Sequence, residues 1–218
     1  MEDFDTRMLL KRTTEMVRHA PGVALIAWLA LVLPSTLLSI ATDGDSRFGF
    51  VSGIIGIFAQ FMVTSRLARQ AGLMQAENVP GRASSFVLLS IVTGLAIMLG
   101  FLVFVLPGLY LLARWSIAVP IVIAEGAKMG DALTASWERT RGKAVPICLA
   151  LLVVGTGLLG SVALDYFYVP DYGTMPIIPM LVSDLIGFGS NVLAWFLAVA
   201  IYSFSAREAA PRLEEIFA

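Results

Sequence analysis

LPGLYLLARWSIAVPIVIAEGAKMGDALTASWERTRGK, residues 106–143, is the stretch whose reading decides the fold. Residues 109–124 are apolar except for Arg114 and Ser116, and a charged, helix-prone connector follows them. That pattern is a membrane span dropping into a polar segment, with Pro107 and Gly108 setting its start and Pro120 bending it. An arginine inside hydrocarbon costs about 2.5 to 3.5 kcal/mol on insertion scales, so Arg114 needs an interior partner or a route to the headgroups.

The rest of the chain agrees with a membrane protein. It is 58% hydrophobic and 14% charged, with a mean hydropathy of +0.84; a soluble domain would carry about 25% charged residues. A net charge of −1 gives no basic field, so nucleic acid is not an expected partner. Cys148 is the single cysteine and His19 the single histidine, which leaves no disulfide and no Cys/His metal constellation. No cofactor is expected.

Working outward, the sequence divides into an N-terminal cytoplasmic or interfacial helix over 1–21, a six-helix transmembrane domain over 22–205 and a cytoplasmic tail over 206–218. The spans fall at about 22–41, 48–65, 84–106, 109–124, 144–164 and 177–205, each near the 20 residues that cross a bilayer. The N-terminal helix spreads its apolar residues rather than aligning them in one stripe. The first span reads as an uncleaved anchor, because its apolar run is long and a mixed-charge helix precedes it. Pro34 should bend it.

Gly49, Gly53 and Gly56 suggest close helix packing in the second span, as do Gly155, Gly157, Gly160 and Ser161 in the fifth. Leu106-Pro107-Gly108 reads as the tight hairpin between the third and fourth spans. In the connector, Leu133, Ser136, Trp137 and Thr140 share one helical face, with Asp131 as N-cap and Gly142 as the stop. Six spans put both termini on one side. That side then holds every Lys and Arg except Arg47 and Arg114, which is 15 − 2 = 13 of them. By the positive-inside rule that side is the cytoplasm. Spans one, three and five open near 22, 84 and 144, which suggests three repeated helical hairpins with cytoplasmic connecting helices.

One group of sequences shares these features. Pro107-Gly108-Leu109, Arg114-Trp115-Ser116, Val119-Pro120, Glu125-Gly126, Asp131-Ala132-Leu133 and Ser136-Trp137-Glu138-Arg139-Thr140-Arg141-Gly142 together resemble a signature of bacterial polytopic proteins. These are similar to the membrane domain of glycerophosphoryl diester phosphodiesterases and its inner-membrane relatives. The resemblance implies an all-α integral membrane bundle. In the enzymes of that family the chemistry is expected in a separate soluble barrel. A chain of 218 residues filled by spans leaves no room for one, so no phosphodiesterase activity is expected.

Two groups of polar residues stand out. If the fourth and sixth spans are straight and start at the outer surface, Arg114 and Asp184 lie at similar depth and form an intramembrane charge pair. That pair would be a functional site, or it would lock two helices; alternatively Arg114 snorkels to a lipid phosphate. The second group, Glu125, Lys128, Glu138, Arg139 and Arg141, forms a cytoplasmic interface network. The function implied is a non-enzymatic accessory or structural membrane component, with envelope or lipid homeostasis as the process the resemblance suggests. The alternative is a small-molecule or lipid transporter using the Arg114/Asp184 region. Membrane lipids are the expected partners, and a second membrane protein is left open. A cavity reaching Arg114 would favour lipid handling or transport, and a close-packed interior would favour a structural role.

Overall fold

A computed structural model describes residues 4–42, 49–76, 79–168 and 176–217, and the side chains of all of these except 49 and 208–217. Among them all regular structure is helical: α1 Thr6–His19, α2 Pro21–Ala41, α3 Gly49–Gln70, α4 Arg82–Val103, α5 Val105–Arg114, α6 Ala118–Glu125, α7 Met129–Arg139, α8 Ala144–Tyr168 and α9 Ile177–Phe217. Six stretches are long and apolar enough to cross a membrane: α2, α3, α4, α5 with α6, α8, and α9 as far as Arg207. The fourth and sixth have half of their most apolar window buried in protein, against 17% or less for the other four. The outer helices therefore turn Leu37, Phe58, Leu102 and Leu159 outward, where only lipid would cover them.

Consecutive spans pack as three hairpins, α2 with α3, α4 with α5 and α8 with α9, and α9 is the central element, touching α1, α2, α3, α6 and α8. Small residues set the closest approaches. A Cβ on Gly157 would lie 3.2 Å from Ile186 O, and one on Gly187 would lie 2.9 Å from Ser161 Oγ, so α8 and α9 meet through these positions. Gly53, Gly155 and Gly160 instead face open space, and Gly56 only reaches Leu31 at 4.0 Å. Gly53 and Gly56 of the second span thus form no close-packing face, while Gly49 of the same motif lies outside the residues whose side chains are described.

The turn between the third and fourth spans is one residue, Phe104, in extended conformation. Pro107 falls in the first turn of α5, where its missing N–H is not needed. Gly108 serves packing rather than the turn: its Cβ would sit 2.7 Å from Phe101 N, and the facing Gly100 would place its own 2.9 Å from Gly108 Cα.

One end of the bundle gathers α1, the segment between α3 and α4, the α6–α7 hairpin and the latter part of α9. Asp5 caps α1, its carboxylate accepting from Thr6 N at 2.6 Å. From there α1 crosses that end: Thr6 Oγ1 donates to Pro146 O at 3.2 Å, and Phe4 packs edge-on against Phe204 at 6.1 Å. Leu9, Thr13 and Met16 form a single buried stripe, contrary to the scattered pattern of apolar residues alone. Thr13 completes it because its hydroxyl is satisfied by Leu9 O at 2.8 Å. The expected 206–218 tail is a helical continuation of α9 to Phe217.

Candidate functional site

The fourth span is two helices, α5 and α6, separated by residues 115–117. Pro120 explains the break. It has no N–H for the carbonyl of Ser116, and its ring would clash with that carbonyl in a continuous helix. As the third residue of α6, it instead occupies a first turn. Ala118 N turns back to Trp115 O at 3.0 Å, so the Arg114 carbonyl loses its helical partner.

That carbonyl is satisfied from the connector. Ser136 Oγ donates to Arg114 O at 2.8 Å, and Thr140 Oγ1 lies 3.1 Å from the same oxygen and 2.7 Å from Ser136 O. Both hydroxyls are buried. A seryl group on α7 and the threonyl group of its C-cap residue, one turn apart, therefore cap a break in a different helix. The Arg114 guanidinium lies 4.3 Å from the centroid of Trp137 and 5.9 Å from that of Tyr110. Arg114 is 3% exposed, and its Nε has no hydrogen-bond partner among the described residues. Aromatic faces replace the counter-ion that a buried cation ordinarily requires.

At the far end of α6, Glu125 accepts both Arg139 Nη groups, Nη2 at 2.9 Å from Oε2 and Nη1 onto Oε1, and Tyr202 Oη donates to Oε1 at 2.9 Å. The bidentate fork fixes α7 against α6, and the phenol fixes both to α9. The hydrogen bonds it donates to the Glu125 carboxylate raise the Arg139 pKa above its ordinary value, so the guanidinium stays charged. Gly126 ends α6 at φ +71°, where a side chain would be strained and would meet Val79 Cγ2 at 2.6 Å. Of the expected network, Glu125 and Arg139 come together. Lys128, Glu138 and Arg141 are exposed and make no ion pair among the described residues. Asp131 lies in the first turn of α7, and Lys128 is the N-cap residue. Tyr202 is the member that the sequence reading missed.

The structure does not bring Arg114 and Asp184 together. α5 runs antiparallel to α8, with Thr140, just before α8, at Arg114 and Cys148 Sγ at Leu109 O at 3.7 Å. Arg114 therefore sits at the level of the α8 start. Asp184 accepts from Thr36 Oγ1 at 2.7 Å, and its neighbour Ser183 donates to Asp165 at 2.6 Å and lies 3.2 Å from Ser161 O. From Ala144 to Ser161 is 17 residues, about 25 Å at helical rise. The expectation failed because it assumed a straight span starting at the outer surface; the α4–α5 turn lies lower, and the chain breaks just after Arg114.

On the other side of the break lies a cavity of about 300 Å³ between α3, α4, the α5–α6 junction, α8 and α9. Gln60, Thr64, Ser90, Thr93, Ser116 and Asn191 supply its polar lining, and Trp115 and Trp195 its indoles. None of its lining residues is ionisable. Ser90 and Thr93 donate back to Phe86 O and Leu89 O at 2.9 and 2.7 Å, which leaves their oxygens as acceptors. The cavity reaches Trp115 and Ser116 but not Arg114, whose side chain lies against α7 instead. Sequence offered no sign of it, because its polar residues are scattered over four apolar spans, Gln60 and Thr64 on α3, Ser90 and Thr93 on α4, Ser116 at the α5–α6 break and Asn191 on α9. Elsewhere, no three His, Cys, Asp or Glu side chains converge among the described residues.

Fold and site together define a multi-pass helical membrane protein built on a discontinuous fourth span. The family model described as the membrane domain of glycerophosphoryl diester phosphodiesterase matches residues 85–205, that is 205 − 85 + 1 = 121 of 218 residues, and the chain belongs to that family. The matched domain is a membrane domain and not a catalytic one. The match spans the break, the capping hydroxyls, the Glu125–Arg139–Tyr202 clamp and most of the cavity wall. No curated protein and no solved structure matches the chain.

Proposed function

We propose that the protein is a non-enzymatic component of the bacterial inner membrane that serves lipid or envelope homeostasis by holding a lipid at the broken fourth span. The cavity carries this reading. Polar groups at mid-depth in a bundle are costly unless they bond to one another, to water or to a ligand. Here the Gln60 and Asn191 amides have no hydrogen-bond partner among the described residues, and both line the cavity. The α7 connector and the Glu125–Arg139–Tyr202 clamp hold that space open by fixing both halves of the span. The basic end of the bundle, with Arg66, Arg69, Arg82, Lys128, Arg139 and Arg141, faces the cytoplasm in this reading, on the strength of the positive-inside rule.

Native mass spectrometry of protein extracted gently from its own membrane tests the proposal. A retained lipid adduct that is lost in Gly94→Leu, which extends a side chain from the cavity wall, is the expected result. A stoichiometric protein partner with no lipid would make the chain an accessory subunit and refute lipid handling.

A further inference from the structure

We infer that the cavity is a binding site for an uncharged, hydroxyl- or ester-bearing lipid headgroup, and not for a phosphate-bearing one; the inference deepens the lipid-handling reading and rests on it. Depth, chemistry and access each bear on the class of ligand.

The cavity lies at mid-depth. Ser90 to Ile97 line it from positions 8 to 15 residues into α4, about 12 to 22 Å from the start of that helix. A hydrocarbon core of about 30 Å surrounds that level. A headgroup drawn there leaves water behind and must find its hydrogen bonds in the protein.

The lining supplies such bonds from uncharged groups only. The Gln60 and Asn191 amides each present donors and an acceptor, and the Ser90 and Thr93 hydroxyls, already donating to their own helix, present acceptors. A free hydroxyl can donate to the latter and an ester carbonyl can accept from the former. A phosphate would bring a negative charge with no cation in the wall. Arg114, the neighbour in sequence of the lining residue Trp115, turns its guanidinium onto Trp137. A volume of about 300 Å³ is at the lower end of small-molecule sites, enough for a glycerol-sized head with its acyl chains left outside.

Access is lateral. Asn191 and Gly94 in the wall are exposed, and no atom lies within 4 Å of a Cβ built on Gly94. An acyl chain can leave by that side, between helices, while the head stays inside.

The full-length protein in nanodiscs, photolabelled with a diazirine-bearing diacylglycerol and mapped by peptide mass spectrometry, tests the inference. Label is expected on α4 near Ser90 to Ile97 and on α9 near Asn191. Excess dioleoylglycerol should compete and dioleoylphosphatidylglycerol should not. Asn191→Leu should lower labelling about fivefold, the factor that one net hydrogen bond supplies. Gly94→Leu should lower it further by occupying the space, and folding is not at risk there because leucine favours helix over glycine. Competition by phosphatidylglycerol, or labelling unchanged in both variants, overturns the inference while lipid uptake stands. Absence of label from a matched phosphatidylglycerol probe as well as from diacylglycerol overturns the proposed function with it.

Discussion

Removing the two α7 hydroxyls that cap the break should destabilise the bundle more than their separate removal implies. Ser136 is 0% exposed and Thr140 1% exposed, and both address the Arg114 carbonyl, so neither can be replaced by water without rearrangement. A net hydrogen bond is worth about 1 kcal/mol, and an unsatisfied buried carbonyl costs about 1 to 3 kcal/mol. Ser136→Ala alone leaves Thr140 Oγ1 at 3.1 Å to serve the oxygen, so its loss should be about 1 kcal/mol. Thr140→Val alone should cost a similar amount, because Ser136 keeps the shorter bond. The double variant orphans the carbonyl and should lose about 3 kcal/mol, roughly 1 kcal/mol beyond the sum. Reversible SDS unfolding of the purified protein in micelles, followed by far-UV circular dichroism, measures the cycle. Strict additivity, or a double variant as stable as wild type, would refute the capping role.

The remaining expectations concern the clamp, the hairpin and the two separated charges. Glu125→Ala should cost about 2 kcal/mol in the same assay, below the value for a fully buried pair because the Arg139 and Glu125 side chains are 29% and 17% exposed. Tyr202→Phe should cost about 1 kcal/mol by removing one hydrogen bond to that carboxylate. Gly108→Ala should cost about 2 kcal/mol or prevent folding, since the new Cβ would meet Phe101 N, a backbone atom, at 2.7 Å. Arg114→Ala and Asp184→Ala should be additive within about 0.5 kcal/mol, because the residues share no partner; strong coupling between them in the unfolding cycle would restore the pair that the structure separates.

Hydropathy and charge made the six spans legible, since both are summed over about 20 residues rather than resting on any one contact, and the motif residues between Pro107 and Gly142 made the family legible. The Pro120 break was half-legible. A proline predicts a bend, but whether a span bends or parts depends on what can satisfy the freed carbonyl, and that depended on Ser136 and Thr140 returning from the connector. Their position on one face with Trp137 was visible in the sequence; their target was not. Arg114 and Asp184 looked matched because depth was counted along ideal helices from assumed surfaces. Tyr202 was indistinguishable from an interfacial anchor, being an aromatic near the end of a span. The cavity was illegible in principle: Gln60, Ser90 and Asn191 converge only through tertiary packing.

Whether the broken span opens on a site occupied by a neutral lipid head is decided by a structure of the protein in native-membrane nanodiscs, with a rigid antibody fragment bound. The expected result is continuous elongated density entering beside Gly94 and ending between Gln60 and Asn191. Isolated water-sized peaks filling the cavity, or α4 and α9 closed upon each other with Asn191 bonded to Gln60, would contradict it.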